Sequence, residues 1–171
     1  MRTHTEIDSP IGRLTLVATD GVLSGVYMEG HLHGPDPATL GPRDDAAFTE
    51  AICQLDEYFR GTRRSFTIPM APGGTPFQRR VWAALLRIPY GRTMTYGDLA
   101  AEVADRSMAR AVGAATGRNP LSVVIPCHRL VGSDGSLTGY AGGLVRKRTL
   151  LDLERGVVPF PGWSTIAATA S

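Results

Sequence analysis

Residues 95–117, TYGDLAAEVADRSMARAVGAATG, decide the fold of the second half of the chain. Thr95 is a typical N-cap before one helical segment, and a short turn leads to a second segment that begins near Ser107. Two short helices joined by a tight turn are typical of a helix-turn-helix, whose second helix enters a DNA groove. That second segment is rich in small side chains: Ala109, Ala111, Gly113, Ala114 and Ala115. Such side chains permit close approach to a neighbouring helix or to DNA, and the pattern alone leaves both readings open.

The chain divides into two domains before this motif. Residues 69–75 are rich in Pro and Gly and predict a linker. The sequence TPFQ at residues 75–78 is a capping box, which predicts the start of a helix. We therefore place an N-terminal domain at residues 1–68 and a C-terminal domain at residues 76–156. Residues 157–171, rich in Pro, Ala, Ser and Thr, predict a loosely held tail.

The N-terminal domain combines strand and helix patterns. Residues 14–18 and 22–28 are β-rich runs on either side of Asp20-Gly21, a strong hairpin signal. Residues 45–59 carry apolar side chains at helical spacing, and Gly61 follows as a stop signal. With the helical segments further on, these patterns predict an α+β fold. A small N-terminal α/β domain, made of a sheet and a helix, precedes a mostly helical C-terminal domain with the helix-turn-helix.

The last part of the C-terminal domain follows Asn119-Pro120. Residues 121–125, LSVVI, indicate a buried strand that leads to Pro126-Cys127-His128-Arg129. Repeated glycines predict a long loop over residues 132–143, and we expect a final helix over roughly residues 145–155.

Composition limits the class of protein. Hydrophobic residues make up 43% of the 171, enough for a packed core, and no apolar run is long enough to predict a transmembrane helix. The N-terminal stretch has no apolar region of the secretory type, so we expect neither a signal peptide nor a membrane partner. The two cysteines, Cys53 and Cys127, make no disulfide framework and favour a reducing cytoplasm. We expect Cys53, which lies in a predicted helix, to belong to the core.

The charge is distributed unevenly. Residues 1–75 hold six Arg against ten Asp and Glu, whereas residues 76–156 hold twelve Arg and Lys against six Asp and Glu. Seventeen of the eighteen basic residues are Arg. An excess of basic residues in one half is typical of a domain that binds a polyanion, but a solvated basic face gives the same pattern.

Cys127 is the clearest candidate for a reactive residue, and it adjoins His128. A cysteine beside basic groups can ionise to the thiolate, which is the nucleophilic form. A cysteine that follows an apolar run can also be an inert core residue. Neighbours on a strand point to opposite faces, so adjacency alone does not establish a catalytic pair.

The motif Ile125-Pro126-Cys127-His128-Arg129-Leu130 resembles the active-site motif of the O6-alkylguanine-DNA alkyltransferases (methylated-DNA–protein-cysteine methyltransferases). Further stretches match the family in order: residues 95–100, residues 109–113, Asn119-Pro120 and residues 139–143. The resemblance is dense from about Thr75 to Glu154. Residues 1–68 resemble the ribonuclease-H-like N-terminal domain of the family more loosely.

The resemblance implies direct DNA repair without a cofactor or a metal. The alkyl group of O6-alkylguanine, with O4-alkylthymine as a further lesion, would pass irreversibly and stoichiometrically to Cys127 from a nucleotide flipped out of the duplex. The implied catalytic residues are Cys127, His128, Glu154, Asn119 and Tyr96. The implied DNA-binding residues are Arg110, Tyr96, Ala109, Ala111, Gly113 and Ala114. The implied pocket residues are Tyr140, Ala141, Gly142 and Met94.

The resemblance also implies a role for each group. His128 would take the proton of the thiol through a water, Glu154 would orient His128, and Asn119 would brace the turn around the site. Tyr96 would contact the flipped nucleotide, and Arg110 would fill the gap in the duplex. The implied partner is double-stranded DNA, bound in its minor groove by a monomer with little sequence preference, and cooperative assembly on DNA is left open.

The sequence departs from some relatives in two features. Ala141 stands where some relatives have Ser, which leaves open how large an alkyl group the pocket accepts. Relatives with structural zinc use extra Cys and His near the N-terminus, whereas Cys53 has no partner cysteine here, so we expect no zinc site. We expect His31, His33 and Arg63-Arg64 to lie on the surface.

Two other classes of function stay open on the sequence alone. A lesion-binding protein of the alkyltransferase-like kind shares the fold but has another residue in place of the acceptor cysteine. A Cys-His-Glu hydrolase would turn over small esters or amides, and it would need neither the helix-turn-helix nor Arg110. The mass of the protein after incubation with an alkylated oligonucleotide separates the three classes.

Overall fold

The computed structural model describes residues 1–157 of the 171. Within that part of the chain, a three-stranded antiparallel sheet and one α-helix come first, and four α-helices with a short parallel strand pair follow. The strands are β1 (Arg2–Ile7), β2 (Leu14–Thr19), β3 (Val22–Met28), β4 (Met94–Thr95) and β5 (Leu130–Val131). The α-helices are α1 (Thr49–Phe59), α2 (Pro76–Leu85), α3 (Tyr96–Val103), α4 (Ala109–Gly117) and α5 (Leu144–Glu154). Short 3-10 helices cover Pro37–Thr39, Asp45–Phe48, Arg106–Met108 and Cys127–Arg129.

The hairpin predicted at Asp20-Gly21 is confirmed. Both residues have positive φ, 50° for Asp20 and 80° for Gly21, as a type I′ turn requires. Strands β2 and β3 pair antiparallel on either side of the turn, with a bulge between Val17 and Ala18. Strand β1, which the sequence patterns did not predict, pairs with the other edge of β2 and completes the sheet.

Helix α1 shares its core with this sheet. Four of the apolar side chains that are helically spaced over residues 45–59 face this core: Phe48, Leu55 and Phe59 are buried, and Ile52 is partly buried. Cys53 is exposed, so the expectation that it belongs to the core is wrong. Successive residues of a helix are rotated by about 100°, so Cys53, which follows Ile52, points away from the buried side of α1.

The helix-turn-helix predicted from residues 95–117 is formed by α3 and α4. Thr95 caps α3 by accepting a hydrogen bond from the backbone N–H of Asp98. The predicted capping box is present at the start of α2, and α2 packs against both helices of the motif. Trp82 of α2 donates from its indole nitrogen to the carbonyl oxygen of Ala115 in α4, at 2.9 Å.

Residues 121–125 form a buried turn, and the strand that we predicted there is wrong. Leu121 makes one isolated bridge to Val26, and the N–H of Ile125 donates back to the carbonyl of Leu121 at 2.8 Å. Val123 has a φ of +73°, which a β-branched residue rarely adopts. All five side chains are buried, so the apolar composition of this segment reflects burial on every side rather than a strand.

The α+β fold class is confirmed, with a sheet and one helix followed by a helical part that contains the helix-turn-helix. The domain boundaries given above stay a prediction. The predicted tail lies outside the described residues, apart from the exposed Val157. Across residues 1–157, none of the helices has the length and apolarity that crossing a membrane requires.

Candidate active site

Cys127 begins the short helical turn between the buried segment 121–125 and strand β5. The residue is 5% exposed and lines a pocket of about 460 Å³. The other lining residues come from the helix-turn-helix, the loop before α5 and the loop after β3: Leu32, Tyr96, Gly113, Thr116, Gly117, Thr138, Gly139, Tyr140 and Ala141.

Two residues expected in this pocket do not line it. Met94 lies in β4 and packs against the core instead. Gly142 lies so close to the sulfur of Met28 that an added Cβ would collide with it, so its small size serves packing against the N-terminal sheet. Leu32 was not predicted but lines the pocket, and its backbone N–H donates to the carbonyl of Ala141 at 2.9 Å.

Asn119 ties the buried turn to the thiol. Its Nδ2 donates to the carbonyl of Ile125 at 2.9 Å and lies 3.2 Å from Sγ of Cys127. Its Oδ1 accepts from the N–H of Leu121 at 2.9 Å. Burial raises the pKa of Cys127 above its ordinary value, although the Asn119 hydrogen bond and the charge of Lys147 lower it. The thiol is therefore protonated at rest near neutral pH, and a base must remove its proton before it can attack.

His128 is a buried candidate for that base. Its Nε2 lies 2.7 Å from Oε1 of Glu154, and neither side chain is exposed. Because a carboxylate accepts, Nε2 carries the hydrogen, and Nδ1 keeps a free lone pair. Nδ1 is buried and has no hydrogen-bond partner in the described part of the chain. Burial lowers the pKa of His128 and outweighs Glu154, which raises it, so the imidazole is neutral and able to accept a proton.

Glu154, the last residue of α5, collects donors from distant parts of the chain. Tyr58 of α1 donates to Oε1 at 2.8 Å, and Arg129 donates to both carboxylate oxygens at 2.9 Å. The backbone N–H of Gly91 reaches Oε2 at 3.4 Å. Burial raises the pKa of Glu154, but the hydrogen bonds and charges of His128 and Arg129 together lower it to about 2. The carboxylate is therefore ionised at neutral pH. Tyr58 and Arg129 hold it in position, and the sequence analysis identified neither of them as part of the site.

Lys147 is a further buried group that sequence reasoning missed. Its Nζ donates to the carbonyl oxygens of Thr138 at 2.8 Å and Gly139 at 3.3 Å, and it lies 5.7 Å from the centre of the Tyr96 ring. Burial lowers the pKa of Lys147 to about 8, although its interaction with Cys127 raises it. One signal was available in the sequence, because Lys147 is the only lysine of the chain.

Two tyrosines form part of the pocket wall. The Tyr96 hydroxyl donates to the carbonyls of Thr138 at 3.2 Å and Gly139 at 3.4 Å. The Tyr140 hydroxyl is buried and makes no hydrogen bond of standard geometry within residues 1–157. It still lies near enough to Cys127 to lower the pKa of the thiol, while burial and the thiol raise the pKa of Tyr140. An unpaired buried hydroxyl leaves a donor available to a bound ligand.

The small residues of α4 fall into two groups, one that packs against a neighbouring helix or lines the pocket and one that lies on the outside. Ala115 is buried beneath Trp82, and Gly113 lines the pocket. Arg110 and Ala114 are exposed on the outer side of the helix. Two others are half-buried: Ala109 and Ala111. The second helix of the motif therefore presents a cation and short side chains to the outside.

The remaining polar residues that we singled out form no site with the pocket. His31 is half-buried rather than on the surface, because its ring packs edge-on against Tyr27 at 5.4 Å, and burial lowers its pKa to about 4. His33 and Arg64 are exposed, and Arg63 forms an ion pair near the surface. Across residues 1–157, no three His, Cys, Asp or Glu side chains come together as a metal site would require.

Both halves of the chain match one known family. Residues 76–156 match the family described as 6-O-methylguanine DNA methyltransferase, DNA binding domain. Residues 3–72 match 6-O-methylguanine DNA methyltransferase, ribonuclease-like domain.

Individual relatives are similar over nearly the whole chain. The methylated-DNA–protein-cysteine methyltransferase of Mycobacterium tuberculosis is 46% identical over 156 residues, which are 91% of this chain and 94% of the relative. The protein of the same name from Methanosarcina acetivorans is 44% identical over 150 residues, 86% of this chain and 94% of the relative. The crystal structure of Mycobacterium tuberculosis OGT in complex with DNA matches with a TM-score of 0.87 and 45% identity, covering 92% of this chain and 95% of that one.

Proposed function

The chain belongs to the methylated-DNA–protein-cysteine methyltransferase family, and on that premise we propose that Cys127 is its alkyl acceptor. The protein binds DNA and repairs O6-methylguanine by transferring the alkyl group to a cysteine. One observation carries the choice between its two cysteines. Cys127 lines the pocket beside a buried histidine with a free lone pair, whereas Cys53 is exposed on α1.

The proposed reaction begins when the proton of Cys127 passes through a water to Nδ1 of His128. The thiolate attacks the saturated carbon bonded to O6, so that a C–S bond forms as the C–O bond breaks and the electron pair stays on the guanine. The guanine then takes up a proton at N1, and His128 gives up the proton that it had accepted. Glu154 supports the transient imidazolium because its carboxylate stays ionised. The thioether offers no route back to the thiol, so each molecule reacts once.

Donors around the pocket support the developing negative charge. The Lys147 ammonium and the Asn119 amide favour the thiolate over the buried thiol. We propose that the Tyr96 hydroxyl, now held by two loop carbonyls, turns to the departing guanine. Asn119 also braces the turn that carries Cys127, and Tyr140 and Ala141 form the wall that faces the base.

The proposed partner is double-stranded DNA, approached through its minor groove by a monomer. The target atom is stacked inside the duplex, so the nucleotide must be flipped out to reach Cys127. Arg110, exposed on the outer side of α4, is long enough to fill the gap that flipping leaves. The neighbouring Ala114 brings no polar group to read base edges, which favours little sequence preference. Because the reaction needs a reduced thiol, we place it in the cytoplasm.

The test is the mass of the protein after incubation with an oligonucleotide that contains O6-methylguanine. We expect a gain of one methyl group per molecule, mapped to Cys127, and the same gain in the control variant Cys53→Ser. Cys127→Ser should gain nothing and should still bind DNA. A methyl group on Cys53, or undiminished transfer by Cys127→Ser, would refute the assignment. DNA binding without any mass gain would indicate a lesion binder, and turnover of small esters would indicate a hydrolase.

A further inference from the structure

Tyr58 links the ribonuclease-like domain to the groups proposed for proton transfer. It lies in α1, within the residues that match that domain, and it is completely buried. Its hydroxyl donates to Oε1 of Glu154, 96 positions further along the chain, at 2.8 Å. The same oxygen meets His128 at 2.7 Å. One carboxylate oxygen of the DNA-binding domain therefore joins the base to a side chain of the other domain.

We propose that Tyr58 is a positioning residue of the alkyl transfer, which holds Glu154 where its carboxylate orients His128. The inference rests on the roles proposed above for His128 and Glu154. It gives the N-terminal domain a part in the chemistry in addition to structural support.

The arrangement of donors around Glu154 supports this role. Arg129 donates to both carboxylate oxygens and so fixes the plane of the carboxylate. Oε1 also receives the hydroxyl of Tyr58 and the N–H of His128. A third donor on the oxygen that meets His128 restricts its remaining movement. Without Tyr58, Oε1 would keep the hydrogen bonds from Arg129 and His128 and would lose the one that comes from the other domain.

The ring of Tyr58 packs within an aromatic cluster. Ring centres lie 5.4 Å away for Phe59, 5.5 Å for Phe66 and 6.2 Å for Tyr90. Phenylalanine would keep these contacts, so packing alone does not require the hydroxyl. Replacement by phenylalanine therefore removes one hydrogen bond to Glu154 while the surrounding core stays filled.

The hydroxyl also affects how strongly Glu154 supports a charged His128. A donor on Oε1 reduces the basicity of the carboxylate, so its loss leaves Glu154 a stronger acceptor for an imidazolium. We therefore expect the pKa of His128 to rise in Tyr58→Phe. Besides burial, the charges of Arg129 and Lys147 lower the pKa of His128. Besides burial, the charge of Glu154 raises the pKa of three hydroxyls around it, those of Tyr58, Tyr90 and Tyr140.

The experiment compares the full-length protein with Tyr58→Phe and with the control Tyr90→Phe. Tyr90→Phe removes a hydroxyl from the same cluster, and that hydroxyl makes no hydrogen bond to Glu154 within residues 1–157. Single-turnover methyl transfer from an O6-methylguanine oligonucleotide is followed with excess protein from about pH 6 to about pH 9. When the protein is in saturating excess over the oligonucleotide, the observed rate constant reports the transfer step and does not depend on the folded fraction, which circular dichroism measures separately.

We expect Tyr58→Phe to slow transfer about tenfold at neutral pH and to move the acid limb of the profile to higher pH, so that the defect shrinks as pH rises. Tyr90→Phe should keep the wild-type profile. A defect in Tyr58→Phe that is equal at every pH, or the same shift in Tyr90→Phe, would show that Tyr58 acts only through packing. The variants Glu154→Gln and His128→Ala test the underlying roles. If both transfer at the wild-type rate, the proposed base is wrong, whereas if both fail and Tyr58→Phe matches wild type, only the inference about Tyr58 is wrong.

Discussion

Replacement of Lys147 by methionine is expected to stabilise the protein and to slow alkyl transfer. Lys147 is completely buried, and burial lowers its pKa from an ordinary value of 10.5 to about 8. The folded protein therefore disfavours the ammonium form relative to the unfolded chain. At about 1.4 kcal/mol per pKa unit, the cost of holding this charge is roughly 3 kcal/mol at neutral pH.

The substitution also removes two hydrogen bonds, which offsets part of the gain. The carbonyls of Thr138 and Gly139 keep a donor because the Tyr96 hydroxyl reaches both, so we expect this loss to be about 1 kcal/mol. The net gain is about 2 kcal/mol, or a melting temperature about 4–8 °C higher. The cost of the ammonium is fully present below the folded pKa of about 8, and it disappears as pH rises toward 10.5.

Thermal unfolding of wild type and Lys147→Met at about pH 7 and about pH 10 tests this reasoning. We expect the variant to melt higher at the lower pH and the difference to shrink at the higher pH. Arg148→Met is the matched control, because Arg148 is an exposed cation on the same helix and its loss should change little. Transfer by Lys147→Met should be slower, since no ammonium then favours the thiolate. If Lys147→Met melts lower than wild type at neutral pH, or if the difference between their melting temperatures is the same at both pH values, Lys147 does not carry a desolvated charge.

Three further predictions concern the DNA and the spent protein. Arg110→Ala should slow repair of duplex DNA more than reaction with free O6-benzylguanine, because the free base needs no gap filled; equal losses in the two single-turnover rates would assign Arg110 to the fold or the pocket. Binding of undamaged duplex should weaken steeply with salt and vary little among unrelated sequences, since residues 76–156 hold twelve Arg and Lys against six Asp and Glu; fluorescence titrations that show a flat salt response or one preferred sequence would contradict this. Methylation of Cys127 should lower the melting temperature by about 2–4 °C, because the thioether is a poorer hydrogen-bond partner for the buried amide of Asn119; an unchanged or higher melting temperature for the fully methylated protein would show that this contact does not stabilise the fold.

Features that depend on a few adjacent residues could be predicted from the sequence. The Asp20-Gly21 turn needs two residues that tolerate positive φ, and the capping box at residues 75–78 needs only four positions. Thr95 likewise caps α3 through a residue three places away. The residues that make such interactions lie within a few positions of one another, so the sequence is enough to locate them.

Features that depend on the whole fold could not be predicted in this way. The apolar composition of residues 121–125 predicts a strand, but hydrogen bonds between the Asn119 side chain and the backbone of Leu121 and Ile125 hold them in a turn. No periodicity in the sequence indicates those bonds. Strand β1 is mostly polar and gains its place by pairing with β2. The resemblance to the alkyltransferase family identified His128 and Glu154 as site residues. Tyr58 lies 96 positions from Glu154, its hydrogen-bond partner, and no rule of sequence spacing connects two residues so far apart.

The burial of the only lysine has a consequence for the lifetime of the protein in a cell. Lys147 carries the sole side-chain amine of the 171 residues, and none of it is exposed in the folded state. Machinery that marks proteins for destruction through lysine side chains finds no attachment point until α5 and the loop before it open. Tagging by that chemistry is therefore limited by the opening equilibrium, so a loosened molecule is marked for disposal ahead of an intact one.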